Sequence, residues 1–527
     1  MKPSICAVVA AIILALSAGC AGNEGKKSTV EPVKYDEITF SGELKYRLQQ
    51  NLVRLKSDRY LPDNVFLTEE ESGGWPGDTE GRTILGLVCD SRATRQAAPS
   101  LMEIINRVPG HLNSMGYMGP EYGDVLNEQQ LSGNGWMLRG LCAYYDVSSD
   151  ARVLDWIRSI AENLFVKGKG MYKSYPSGQW MLSSDTGCLF IGMDGLIDAY
   201  RLVGTPEMKE VIDEMIARFL EIDLVAIQAQ THASLTACRG LVRYAELTGE
   251  AKLIQEAEKR WKIYKQYGMT ENYENYNWFG RYDTWTEPCA IVDSYILAYK
   301  LWQHTGNNDY LNDAQLIYYN AICHTQRSNG GFGCDTCPGE ASGPDLAVSI
   351  DEAHWCCTMR GAEGLATVAS HTFMRDGNTL YLTNFRPCTL SISGLELEVM
   401  TDYPGEGSVT VAVVNKTLKD NVKLKVYIPY WVIPGSIGIG EKRIQAQVGK
   451  DGFITLDKLE TGKVFSIDYS FALRQEETLN KENTKPGQVR YFYGPCILNE
   501  EGNPICHLMD PGVTKESGYH HQIVFNQ

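Results

Sequence analysis

From about Ser41 to Met374 apolar residues recur at helical spacing, with one stripe buried per helix, and near Asp376 the period falls to two, the alternation of strands with one face inward. The helical part repeats itself. Leu138-Arg-Gly-Leu-Cys-Ala-Tyr144, Met193-Asp-Gly-Leu-Ile-Asp-Ala-Tyr200, Cys238-Arg-Gly-Leu-Val-Arg-Tyr244 and Asp293-Ser-Tyr-Ile-Leu-Ala-Tyr299 each precede a short break and a second amphipathic helix. The breaks, Val147 to Asp150, Val203 to Pro206, Leu247 to Glu250 and His304 to Asn307, carry Ser, Thr, Gly and Pro, the residues that cap or stop helices. A helical hairpin at that period builds an open solenoid or a closed ring. Long Gly- and aromatic-rich connections between the pairs favour the closed form, an (α/α)6 toroid, with the repeated Gly and Tyr as packing residues. Beyond Asp376, Leu380–Asn384, Leu390–Ile392, Leu395–Val399, Ser408–Val414, Val422–Ile428, Phe453–Leu456 and Val464–Tyr469 read as short strands between Gly, Pro and Asn turns, and predict a β-sandwich.

The N-terminus departs from both patterns. Met1-Lys2, an apolar run from Ile5 to Leu16 and Ser17-Ala18-Gly19-Cys20 predict a secretory signal over residues 1–19. The run is shorter than the ~20 residues of a membrane span. Small residues before Cys20 resemble a lipobox, so the expected membrane attachment is a lipid on Cys20. The predicted organisation is then a tether over 20–40, the toroid over 41–375, the sandwich over 376–475 and a strand with loops over 476–527, in a cell-envelope protein of the outer membrane or periplasm.

Length (527 residues) and a hydrophobic content of 43% allow several cores. A net charge of −16 without a basic stripe excludes nucleic acid as a partner. Tryptophans in Gly-rich contexts, Gly74-Trp75, Gly135-Trp136 and Gln179-Trp180, offer flat apolar faces of the kind that suit sugar rings. With Cys6 in the signal and Cys20 at the lipobox, an odd number of cysteines remains and they are scattered, so most are expected to be core thiols.

One stretch stands apart, His354-Trp355-Cys356-Cys357. Neighbouring cysteines rarely bridge each other, since the ring would be strained. They are either two buried small residues or a thiolate site. Glu287-Pro288-Cys289, opening a helix, supplies an oxygen and a third sulfur, and the resulting three-sulfur, one-oxygen set suits Zn2+. Cys334-Asp-Thr-Cys337 with Cys356 and Cys357 is a rival four-cysteine site that spacing alone ranks no lower.

Trp285-Thr-Glu-Pro-Cys289-Ala, Ala298 to Gly306, Cys356-Cys357, Thr401-Asp-Tyr-Pro404, Ile428-Pro-Tyr-Trp431 and Tyr493-Gly-Pro495 resemble segments of glycoside hydrolase family 127, which contains bacterial β-L-arabinofuranosidases. Thr358-Met359-Arg360 stands where the family has Pro-Pro-Asn. The resemblance implies a zinc ion on Glu287, Cys289, Cys356 and Cys357, with Cys356 as nucleophile. It implies a general acid/base at Glu271, with Glu274 in reserve, and sugar contact at His232. Trp75, Trp136 and His354 are further candidates for contact with a carbohydrate substrate, Asp78 and Glu80 sharing the loop of Trp75. The expected function is a retaining glycosidase that releases a terminal furanose, β-L-arabinofuranose, from plant-type glycans. Two other readings stay open: a toroid hydrolase of unsaturated uronyl sugars using carboxylates near Asp78, Glu80 or Asp194, and a non-catalytic glycan-binding lipoprotein with structural zinc.

Overall fold

Where the repeated glycines fall, helix backbones touch. A Cβ on Gly140 would lie 2.4 Å from the Gly81 carbonyl oxygen, and one on Gly195 would lie 2.2 Å from that of Gly135. Only glycine permits such an approach, and these contacts set the spacing of a ring. The computed structural model describes residues 30–68, 71–505 and 520–523. The predicted signal and Cys20 lie outside them. No helix among the described residues is long and apolar enough to cross a membrane.

Twelve helices make the toroid: α1 (Gly42–Leu55), α2 (Asp78–Thr94), α3 (Pro99–Arg107), α4 (Glu128–Ser148), α5 (Ala151–Ile160), α6 (Leu189–Val203), α7 (Pro206–Glu221), α8 (Thr231–Thr248), α9 (Lys252–Tyr267), α10 (Pro288–Thr305), α11 (Asp309–Ile317) and α12 (Cys357–His371). The even-numbered helices pack in sequence, and α12 returns to α2 to close an inner ring of six. Odd-numbered helices cover it. The difference is visible in burial: α10 is buried at every position from Pro288 to Tyr299, whereas α5 buries only Val153, Ile157 and Ile160, one stripe. The predicted breaks form the hairpins. Asp150 caps Arg152 N–H, Thr205 caps Met208 N–H ahead of Pro206, and Gly249 and Gly306 end α8 and α10 in the left-handed conformation. Paired contacts rise together along neighbouring inner helices (Leu131 with Gly192, Gly135 with Gly195), so α4 and α6 run parallel.

All seven predicted strand regions are strands, in two sheets of seven and five. Alternating Leu395, Leu397, Val399 and Val409, Val411, Val413 are buried in the larger sheet, and Leu424 and Val426 in the smaller. Phe373–Asp376, Ile433–Ile439 and Lys442–Gln445 are further strands. Ile433–Ile439 escaped prediction because Pro434 and Gly435 interrupt it, and its pairing slips between Pro434 and Ile437 as a bulge would require. The predicted tether is corrected in part: Glu31–Pro32 pairs with Met374 and Arg375 in one sheet, and Ile38–Phe40 with Cys388–Leu390 in the other. The boundary at 475 also shifts, since Leu473–Glu477 pairs with Val489–Tyr493. Gly135-Trp136, predicted in a loop, lies inside α4, where Gly135 serves the contact with α6.

Replacing Gly195 by Ala is expected to cost at least about 2 kcal/mol of stability, because backbone and not a movable side chain blocks the methyl; Gly306→Ala, in open space at positive φ, should cost about 1. Chemical unfolding of both checks the order. Asp90 on α2 gives a second prediction. It is fully buried with neither carboxylate oxygen bonded, and burial pushes its pKa well above the usual range. Above about pH 4 the unfolded chain loses this proton while the folded chain keeps it, so stability falls as pH rises. The gain from Asp90→Asn should therefore grow between pH 4 and 7, as measured by urea unfolding; a pH-independent difference would refute it.

Candidate active site

Because the inner helices share a direction, their N-termini gather at one mouth. There the last residues of the connecting loops and the first turns of the helices bring together Asp78 and Arg82 (α2), Ile191 (α6), Gln230 and His232 (around the start of α8), Glu287 and Cys289 (α10) and Cys356 and Cys357 (α12). Helix N-termini carry unpaired N–H groups and a partial positive charge, which favour anionic side chains. The thiols sit in such a field.

Cys357 Sγ lies 3.2 Å from Cys356 Sγ and 3.8 Å from Cys289 Sγ. The three sulfurs fall within 4.8 Å of one another, as do donor atoms of His232, Glu287 and Cys289. Oxygen Oε2 of Glu287 is buried without a partner. Glu287 shares a donor group with Cys289, which also belongs to the three sulfurs, so the sulfur and oxygen donors present are of the kind Zn2+ takes and the residues fit the ion. Burial opposes the Cys289 thiolate, but hydrogen bonds from Cys356 and Cys357 and the Arg82 guanidinium, 3.2 Å away, outweigh it and hold its pKa well below the usual thiol range. The bond to Cys289 raises the pKa of Cys356 well above the usual thiol range, and burial raises those of Cys357 and Glu287 well above theirs. The rival four-cysteine set does not assemble: Cys334 lies beside Cys357, but Cys337 bonds the Asn275 carbonyl oxygen at 3.7 Å.

Below the thiols a lattice of buried charge fills the ring. Asp293 accepts from His232 Nδ1 (2.8 Å), Thr236 (2.8 Å), Arg239 and Arg360 (2.5 Å). Arg139 bonds Asp198 (2.5 Å) and Glu363 (2.9 Å), and Arg243 bonds Asp194 (2.9 Å). Each charge has an opposite neighbour, as burial demands. With Nδ1–H donated to Asp293, the other nitrogen of His232 accepts from Arg82 at 3.4 Å. The substituted Thr358-Met359-Arg360 segment belongs to this framework: Arg360 pairs with Asp293 and Glu363, and Thr358 bonds Glu352 at 2.8 Å.

A cavity of about 190 Å³ opens above the thiols, lined by Trp75, Asp78, Arg82, Asp185, Gln230, His232, Glu287, Trp355 and Cys356 among others. A larger groove, of about 700 Å³, lies between Glu246, Glu258 and His304 at the opposite ends of α8 and α10 and holds no thiol. Trp75 and His232 are thus at the cavity. Trp136 is not a wall of it; fully buried, it stacks on His232 at 5.7 Å, with Arg82 and Arg360 at 4.2 and 4.5 Å from its ring. His354 packs edge-on against Trp355 outside the lining. Of the carboxylates weighed for other chemistry, Asp78 reaches the cavity, while Glu80 bonds Leu67 N–H and Asp194 lies in the charge lattice.

Glu271 departs most from expectation. It is fully buried, accepts the N–H groups of Leu479 and Asn480 at 2.8 Å each, and faces Arg490 at 3.3 Å. Both oxygens are committed to fastening the segment after the sandwich, and the residue does not line the cavity. Glu274 is likewise buried, in a group with His324 and Asp335. Asp185 was missed by sequence reading; it sits in a polar loop, Ser183-Ser184-Asp185, whose only signal was its place ahead of an inner helix.

A closed helical toroid with a sugar-sized cavity at its mouth, joined to a β-sandwich, is the architecture of a class of glycoside hydrolases. Residues 129–370 match the family model for the β-L-arabinofuranosidase GH127 catalytic domain. Among solved structures the chain is similar to a GH127 β-arabinofuranosidase (14% identity, 91% of this chain and 86% of that chain covered, TM-score 0.67). It is also similar to the GH127 β-L-arabinofuranosidase Ara127N from Geobacillus stearothermophilus T6 (13% identity, 88% and 86% covered, TM-score 0.64). No curated protein matches the sequence. Residues 129–370 thus carry a GH127-like glycoside hydrolase catalytic domain, and the chain shares the fold of the solved members at low identity.

Glu271→Gln is expected to remove about 3 kcal/mol of stability by leaving buried Arg490 short of its countercharge, while the folded variant keeps most of its turnover. Thermal unfolding and kcat measured below the transition check this; a large kcat loss at unchanged stability would refute it.

Proposed function

We propose that the protein releases a terminal β-L-arabinofuranose from plant-type glycans with retention of configuration, using Cys356 as nucleophile. The observation that carries this reading is the group of three sulfurs, joined through Cys289 to Glu287, with Cys356 and Glu287 on the cavity wall. Glu287, Cys289, Cys356 and Cys357 would hold zinc. Bound there, zinc would keep Cys356 as a thiolate, which a free thiol of pKa ~8.5 is not at neutral pH. Cys356 lines the cavity and attacks the anomeric carbon; His232, fixed by Asp293, presents Nε2 to the sugar side; Trp75 and Trp355 supply flat walls. A cavity below the ~300 Å³ of ordinary ligand pockets accommodates one ring rather than a chain, in keeping with terminal release. That both similar GH127 structures are β-arabinofuranosidases supports the sugar. The sequence ahead of residue 30 supports placement in the cell envelope through a lipid on Cys20.

Hydrolysis of a chromogenic β-L-arabinofuranoside under reducing conditions tests the reading. Expected are release by the wild-type protein, its loss on chelation and return with zinc, and a fall of at least about 1,000-fold in Cys356→Ala without loss of folding. Turnover that survives both chelation and Cys356→Ala would refute the mechanism, and sugar binding without turnover would mark a binding protein.

A further inference from the structure

Cleavage by Cys356 needs a second group, one that protonates the departing oxygen and later takes a proton from water. Glu271 is spent on Leu479, Asn480 and Arg490, away from the cavity. The cavity wall carries four carboxyl groups, Glu71, Asp78, Asp185 and Glu287. Three are committed. Glu287 completes the metal donor set. Asp78 is held by Arg82 through both oxygens at 2.9 Å. Glu71, at the rim, accepts from the N–H and hydroxyl of Thr68 at 2.9 Å, bonds that favour its ionised form.

Asp185 differs. Its N–H bonds Ser183 Oγ and its carbonyl oxygen accepts from Cys188 N–H, but no hydrogen bond or ion pair of its carboxyl group occurs among the described residues, and it is half-buried on the cavity wall. The loop that carries it is nonetheless held firmly. Buried Glu128 accepts from the N–H groups of Ser183 and Gly187 at 3.1 Å each and from Tyr175 OH at 2.5 Å, and Thr186 O accepts from Gln230 N–H at 3.0 Å. A carboxyl group with a fixed backbone and a free head is what proton transfer to a bound ligand requires.

We propose that Asp185 is the general acid and base of the reaction. In the first step the Cys356 sulfur forms a bond to the anomeric carbon as the glycosidic C–O bond breaks, and the Asp185 proton passes to the leaving oxygen, giving an alcohol. In the second, the Asp185 carboxylate takes a proton from water, the water oxygen bonds to the anomeric carbon, and the C–S bond breaks to restore the thiolate. Burial raises the pKa of Asp185 above the usual carboxyl value, in the direction an acid needs. The other titratable groups on the wall are Glu71, Asp78, Arg82, His232, Glu287 and Cys356. The inference rests on the arabinofuranosidase reading.

Asp185→Asn and Asp185→Ala, with zinc content and thermal unfolding as controls, test it against two β-L-arabinofuranosides, one with an alkyl and one with a dinitrophenyl leaving group. Expected in Asp185→Asn are a fall of about 100- to 1,000-fold in kcat/KM for the alkyl glycoside, a much smaller fall for the dinitrophenyl one, and loss of the alkaline limb of the pH profile. Azide should restore turnover in Asp185→Ala and yield a glycosyl azide. An active wild-type protein whose Asp185→Asn variant keeps its rate and pH profile on the alkyl glycoside overturns this inference alone, as does the same leaving-group signature in Glu271→Gln. A folded, zinc-loaded wild-type protein inactive on both glycosides overturns the arabinofuranosidase reading and this one with it.

Discussion

Backbone contact between parallel helices governs this molecule. Gly81 against Gly140 and Gly135 against Gly195 bring helix axes closer than any side chain would permit. With two neighbouring pairs so spaced, six helices close into a ring with a narrow lumen, and their common direction collects six N-termini in one place. Electrostatics follows from that geometry. Thiols and carboxylates that would be costly to bury elsewhere meet N–H groups and the positive ends of helix dipoles. The chemistry at the mouth is a consequence of how the ring closes.

The lumen shows the cost of a narrow ring. It is too polar for a hydrocarbon core, since Arg82, Arg139, Arg239, Arg243 and Arg360 project into it against Asp78, Asp194, Asp198, Asp293 and Glu363. Such a lattice adds little net stability over apolar packing, but it is intolerant of rearrangement, because removing any member strands a buried partner. Asp293 illustrates the use: it sets the tautomer and the tilt of His232, and the ring of Trp136 supports that imidazole from the side. Functional side chains at the mouth thus stand on a rigid polar floor.

Much of this was readable from sequence, for identifiable reasons. The hairpins announced themselves because capping chemistry is local: Asp150, Thr205, Gly249 and Gly306 act within four residues of where they sit. The strands of the sandwich were legible through alternation, except where Pro434 and Gly435 broke it. Glu287, Cys289, Cys356 and Cys357 were chosen over the rival four-cysteine set by the family resemblance, since spacing alone ranked the two sets alike. What failed were readings that depend on long-range partners. Glu271 kept the right offset from Glu287 but is bonded to residues more than 200 positions away, and nothing near it in sequence signals Arg490. Trp136 looked like a loop residue because Gly133 and Gly135 precede it, when Gly135 in fact serves helix contact and Gly133 lies against Pro76. Asp185 was invisible for the opposite reason: its distinction is a carboxyl group without a partner among the described residues, which no local pattern records.

The first described residues add one strand to each sheet of the sandwich, and Val30 O accepts from Gln303 near the C-terminal end of α10. That end is remote from Cys289, which opens the same helix, by the length of some 18 residues, about 27 Å. The chain therefore enters the molecule at its back. Residue 30 thus lies on the face away from the cavity, and a segment joined there meets the body beside the sandwich edges, leaving the mouth of the ring unobstructed by its own entry strand.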